Sequence, residues 1–206
     1  AGALYVSDSA ARFGNATGLD EEGGKLALDG NGRYATDSFQ SQWRAADLAL
    51  DARELEIEAG RQGTYGVYFG YKELPYRLFD TTDTVFSANG NDFLGLPPGW
   101  VASGTTAGFT ELGNSLMPQD IGSDRTNIGV GGHYLFATNF KFFADYRRED
   151  KEGIQITSGS SFTQSSMLPR MVDYQTDTID LGLRYANGPL ALSLAWYGSF
   201  FENNAD

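Results

Sequence analysis

The chain alternates between apolar and polar positions. Over residues 178–185, Ile179, Leu181, Leu183 and Tyr185 share one side, and Thr178, Asp180, Gly182 and Arg184 share the other. A repeat of two is that of a strand with one apolar wall and one wet wall. Ala186-Asn187-Gly188 follows as a hairpin signal. The chain then returns with Leu190, Leu192, Leu194 and Trp196 opposite Ala191, Ser193, Ala195 and Tyr197. A second hairpin carries Ile128, Val130, Tyr134 and Phe136, turns at Ala137-Thr138-Asn139, and returns with Phe140, Phe142, Ala144 and Tyr146 opposite Lys141, Phe143, Asp145 and Arg147.

The N-terminal part reads the same way. Residues 54–59 alternate strictly, Arg61-Gln62-Gly63-Thr64 turns the chain, and residues 65–71 form a Gly/aromatic strand. Residues 41–50 place Ala46, Leu48 and Leu50 opposite Asp47, Ala49 and Asp51. Residues 24–35 are a weaker strand and residues 4–9 a first one. About nine strands of roughly 9–11 residues result, the length of a tilted membrane crossing. The turns near 62, 138 and 187 are short and fall on one side if strands run up and down. The stretches 74–125 and 150–176 are long and irregular, and the junction near Asp51 is a short loop on their side.

One apolar wall suits either a soluble β-sandwich, with that wall inward, or a transmembrane barrel, with that wall toward lipid and a polar lumen. Strand length and the contrast between short periplasmic turns and long extracellular loops favour an all-β, transmembrane antiparallel β-barrel, with residues 1–206 as a single segment of a larger one. Lipid-facing candidates are then Phe140, Phe142, Ile179, Leu181, Leu183, Leu192 and Leu194. Lumen-facing candidates are Lys141, Asp145, Arg147, Asp180 and Arg184. Tyr146, Tyr185, Trp196 and Tyr197 are read as an interfacial girdle.

Composition sharpens this picture. Gly is 26 of 206 residues and aromatics are 14%, as in many-stranded β chains. No run approaches 18 apolar residues, so the sequence predicts no transmembrane helix. The net charge of −12 disfavours nucleic acid as a partner. With no Cys, this segment cannot hold a disulfide, an iron–sulfur cluster or a covalently attached c-type haem. His133 is the single His, lies mid-strand, and has no nucleophile motif beside it. Glu54, Glu56 and Glu58 share a strand face, which reads as a cation or acid–base site or, more simply, as a solvated acidic wall. Asp20-Glu21-Glu22 lacks calcium-loop spacing. No catalytic constellation and no metal site emerge, and the chain is not expected to be an enzyme. It opens on Ala1 without a basic leader, as a processed or fragmentary chain would.

An ordered series of short motifs carries a resemblance. Arg12-Phe13-Gly14, Thr17-Gly18-Leu19 and Glu21-Glu22-Gly23 are followed by residues 47–55 (DLALDAREL), 58–63 (EAGRQG), 71–75 (YKELP) and 96–101 (LPPGWV). Residues 145–153 (DYRREDKEG), 172–177 (VDYQTD) and 197–201 (YGSFF) complete it. Together they resemble the N-terminal part of the MtrB/PioB family of decaheme-associated outer-membrane proteins. The resemblance implies a bacterial outer-membrane barrel that sheathes a multihaem c-type cytochrome in its lumen for extracellular electron transfer, with an outer-surface multihaem cytochrome as a further partner. Haem would be carried by the partner, with no cofactor on this chain. A C-x-x-C near the mature N-terminus of some members is missing here. The alternatives are a general diffusion porin and a soluble β-rich binding domain.

Overall fold

The structure, a computed structural model, describes residues 1–88, 94–161 and 164–205. Strands dominate: β1 (Gly2–Val6), β2 (Gly23–Ala27), β3 (Gly30–Ala35), β4 (Gln40–Ala46), β5 (Glu54–Arg61), β6 (Tyr65–Thr84), β7 (Ser87–Ala88), β8 (Leu94–Gly95), β9 (Met117–Phe136), β10 (Phe140–Ser161), β11 (Gln164–Asn187) and β12 (Leu190–Asn203). A 3-10 turn at Ala11–Gly14, another at Thr106–Gly108 and one helical turn, α1 (Leu112–Ser115), are the only helical pieces among the described residues. None is long and apolar enough to cross a membrane, which leaves strand-based crossing untouched.

Eight strands make one antiparallel sheet in the order β12-β11-β10-β9-β6-β5-β4-β3. β1 pairs with β2, and β7 with β8, as separate two-stranded ribbons. Residues 24–35 therefore form two strands in different sheets. The alternation over 46–51 belongs to the loop after β4: Asp47 sits at φ 51°, and Leu50 is buried there.

The short connections at 36–39, 62–64, 137–139 and 188–189 all lie at one end of the sheet. Neighbouring turns are bonded there, Leu135 N–H to the Thr64 carbonyl and Ala186 N–H to the Asn139 carbonyl. Gly63 at φ 72° and Gly188 at φ 57° supply the left-handed backbone that two of these turns need.

At the other end the strands run on. β6, β9, β10 and β11 are 20, 20, 22 and 24 residues long. At ~3.3 Å per residue and a tilt of about 40°, they rise roughly 50–60 Å, about twice the ~30 Å hydrocarbon layer. The stretch 150–176, expected to be irregular, is thus a ladder that pairs as far as Ser161 with Gln164, around two positions outside the described residues. The 74–125 stretch is shortened from both ends, as β6 continues to Thr84 and β9 begins at Met117. Part of it, 89–93, lies outside the described residues. Sequence periodicity does not mark the extensions because their apolar residues, such as Ile154, Ile156, Leu168, Met171 and Val172, are scattered over both faces.

The N-terminal segment clasps the extended part of β6. Ala16 N–H donates to the Pro75 carbonyl at 2.9 Å, Arg77 N–H donates to the Asn15 side chain, and the Arg12 guanidinium lies 5.3 Å over the Phe79 ring. The Arg77 side chain bonds both Asp20 at 3.1 Å and Asp124 at 2.5 Å.

Candidate functional site: two faces of one wall

Cross-strand register sorts the sheet into two faces. One carries Trp43 and Ala45 on β4, Leu55, Ile57 and Ala59 on β5, and Tyr65, Val67, Phe69 and Tyr71 on β6. It continues through Ile128, Val130, Tyr134 and Phe136, then Phe140, Phe142, Ala144 and Tyr146, then Ile179, Leu181, Leu183 and Tyr185, and ends on Leu192, Leu194 and Trp196. All seven apolar candidates therefore share a face. No layer of protein covers it: Leu194 is 76% exposed, Leu192 59% and Val67 51%. A soluble sandwich would place a second sheet here, and a patch of this extent is far beyond what a monomer leaves in water.

Aromatic rings mark the lower rim of that face. Phe136 stacks on Phe140 at 5.4 Å, and Phe140 meets Tyr185 at 4.8 Å. Tyr65 and Tyr134 pair directly beside them. Of the four aromatics read as a girdle, Tyr146 and Tyr185 fall at the two margins of the apolar band. Trp196 is mid-band, opposite Leu181, and Tyr197 is on the polar face, opposite Asp180. Trp196 and Tyr197 are not near a strand end because β12 runs on to Asn203. The lower ring of Tyr65, Tyr134, Phe136 and Phe140 was in the alternation but went unremarked.

Above the band the same face turns polar within one rung. Arg53 pairs with Glu73 at 2.6 Å and Arg148 with Asp150 at 2.9 Å. Asp177, directly above Ile179, accepts from the Tyr146 hydroxyl at 2.5 Å and the Gln175 amide at 2.7 Å. Those two hydrogen bonds hold the Asp177 carboxyl below its ordinary value of 3.8.

The opposite face is polar and lightly built. Lys141, Asp145, Arg147, Asp180 and Arg184 all lie on it, so register brings the five charged candidates together. Arg33, Gln42, Arg44, Glu54, Glu56, Glu58, Tyr68, Lys72 and His133 join them. Three surface concavities are lined mainly by this face, consistent with a sheet that curves around it. The glutamate row is locally matched: Glu58 accepts from Gln42 at 2.6 Å, Glu54 meets Lys72 at 2.9 Å, and Glu56 stands opposite Arg44. Among the described residues no three His, Asp or Glu converge as metal ligands would.

Glycines let rings lie flat on this wall. Gly66 is directly opposite His133, Gly131 opposite Tyr68, and Gly182 opposite Phe143, and a Cβ on any of the three would strike the facing ring. The Arg184 guanidinium then covers Phe143 at 5.0 Å. This explains the apolar Phe143 on a wet face: it roofs a glycine and carries a cation. With Gly60, Gly70, Gly129, Thr178, Ser193 and Ala195 on the same side, the wall projects little into the space it curves around.

The sequence model of the family described as "Putative outer membrane beta-barrel porin, MtrB/PioB" matches residues 5–206. The chain belongs to the MtrB/PioB family. A relative, "Outer membrane protein MtrB" of Shewanella baltica (strain OS185), is 32% identical over 203 residues. That match covers 98% of this chain and 29% of the relative, so the chain spans less than a third of that protein's length. The sheet is accordingly a stretch of outer-membrane β-barrel wall, as the alternation, strand length and resemblance predicted, and the protein resides in the outer membrane.

Proposed function

We propose that this MtrB/PioB chain forms part of a wide barrel that sheathes a multihaem c-type cytochrome, which carries electrons across the outer membrane. The observation that carries the reading is that eight antiparallel strands do not close. β12 and β3 are free edges of the sheet, although eight strands suffice for a small barrel. Eight strands in a segment matching 29% of the relative scale to roughly 28 over its whole length, near the top of the known range. At ~4.8 Å between strands tilted by about 40°, such a barrel is about 56 Å across its backbone. After side chains, the lumen is wide enough for a folded protein about 30 Å thick. An open hole of that size would end the membrane's permeability barrier, so the barrel calls for an occupant.

The occupant's chemistry follows from the resemblance and from the chain's own composition. A chain with no Cys holds neither covalent c-type haem nor an iron–sulfur cluster in this segment, so redox centres come with a partner. In this reading the apolar face meets lipid and the flat polar face meets the cytochrome. The wall performs no chemistry: it excludes lipid and positions the carrier.

The test is to extract the complete protein from outer membranes in mild detergent and record the visible spectrum of what co-purifies. A c-type haem spectrum with a separate haem-staining band supports the sheath. An intact, colourless barrel overturns it in favour of a diffusion porin.

A further inference from the structure

The antiparallel β10–β11 ladder sets two charged pairs of like sign directly across from each other on the polar face: Lys141 opposite Arg184, and Asp145 opposite Asp180. Like charges in that position destabilise a sheet, and opposite charges support it. The rest of this wall follows the supportive rule. Glu54 is opposite Lys72, and Glu56 is opposite Arg44. Above the apolar band, Arg125, opposite Lys151, reaches Glu149 at 3.5 Å, and Asp124, opposite Glu152, holds Arg77, although Glu152 also faces Asp173 on β11.

None of Lys141, Arg184, Asp145 and Asp180 joins an ion pair among the described residues. Exchanging the residues at 180 and 184 would turn both pairs into opposite-charge pairs with no change in composition. Between the two pairs lie only Phe143, flat on Gly182, and its row neighbours His133 and Ala195. In the row of the acidic pair, Tyr68 lies over Gly131 beside Asp145, and Tyr197 stands opposite Asp180.

We propose that these pairs are a two-point electrostatic dock for the protein that fills the barrel. Lys141 and Arg184 receive an acidic group, and Asp145 and Asp180 receive a basic one, ~13 Å apart along the strand. This rests on the sheath reading, and it names where and by what charge pattern the wall grips its occupant. The four charges make no ion pair within the wall, Arg184 resting on Phe143 and Asp145 lying beside Tyr68, and the partner supplies their opposite charges, which sets register as well as attraction.

The test uses the complete barrel with its co-extracted occupant, bound through a tag on the barrel and washed with rising salt. Occupant release is followed by protein and haem staining, and barrel integrity by heat-modifiable gel mobility. In D180R/R184D the wall charges satisfy one another. The barrel band should be as heat-stable as wild type or more so, while the salt giving half-release falls at least two-fold. K141Q/R184Q, which only removes a repulsion, should behave alike and serves if the exchange variant fails to assemble. Release at wild-type salt from an intact variant barrel overturns the dock but leaves the sheath standing. Absence of any occupant on the wild-type barrel overturns the sheath, and the dock with it.

Discussion

Adjacent residues on β12 show how sharply the two environments differ. Leu194 is 76% exposed on the apolar face, while Ser193 stands opposite Arg184 on the polar one. An arginine at a lipid-facing midplane position costs about 2–4 kcal/mol, whereas a lumen substitution leaves stability nearly unchanged. In urea unfolding of the complete barrel in lipid, Leu194→Arg should therefore lower stability by about 2–4 kcal/mol. Ser193→Arg should change it by less than about 1 kcal/mol. The reverse order would exchange the lipid and lumen faces. Asp177 gives a second residue-scale test, just beyond the band. Its carboxyl is held below its ordinary value by Tyr146 and Gln175. A lowered folded-state pKa makes the stabilisation complete above the unfolded value of 3.8 and lost as pH falls through the lower folded value. Hydrogen-exchange protection around 175–178, corrected for intrinsic rate, should hold from pH 7 down to about 5 and drop below about 4. In Asp177→Asn that loss should be absent.

At the element scale, β9, β10 and β11 divide into a lower part with one continuous apolar face and an upper part whose apolar residues are scattered over both faces. The lower part is a membrane crossing and the upper part is a wall standing free of it. Upper strands hold together by backbone ladder, by side-chain pairs such as Arg148–Asp150 and by the buried side chains of Ile121 and Val172. Because these 206 residues have no Cys, single-cysteine variants report topology without background from this segment. Ser158→Cys, in the extension of β10, should react with a membrane-impermeant maleimide on intact cells. Asn139→Cys, in the turn after β9, should react only after the outer membrane is opened. Labelling of Asn139→Cys alone on intact cells would invert the orientation. This boundary between crossing and extension was not legible beforehand, because a strand whose apolar residues do not alternate has the composition of a loop, and only hydrogen bonding tells them apart.

The whole molecule is defined by an edge that stays open. An eight-stranded sheet whose edge strands β3 and β12 have no outer neighbour among the described residues is, in the proposed reading, a sector of a wider barrel, and its polar side is flattened by glycine–ring pairs at Gly66, Gly131 and Gly182. A lumen built to be filled and one built to conduct differ in a single electrical property. In planar bilayers the complete complex should pass less than about a tenth of the current expected for an open pore of roughly 28 strands. Salt-stripping the occupant should raise the conductance to that of a wide pore. Large conductance from the untouched complex would favour the diffusion porin.

The sequence alone determined the class of the element and the partition of its residues. Side chains alternate across a strand, so Ile179, Leu181 and Leu183 could only share one face and Asp180 and Arg184 the other, whatever the fold around them. Short turns at Gly63 and Gly188 were also legible, since few residues tolerate their backbone. Tertiary structure decided what periodicity cannot carry. Pairing register placed Tyr197 opposite Asp180 rather than in the girdle, set Lys141 against Arg184 and Asp145 against Asp180, and laid Phe143 on Gly182. It also converted 150–161 and 164–176 from apparent loop into ladder. The reason is physical: alternation is a property of one strand, whereas register, curvature and the facing of like charges exist only between strands.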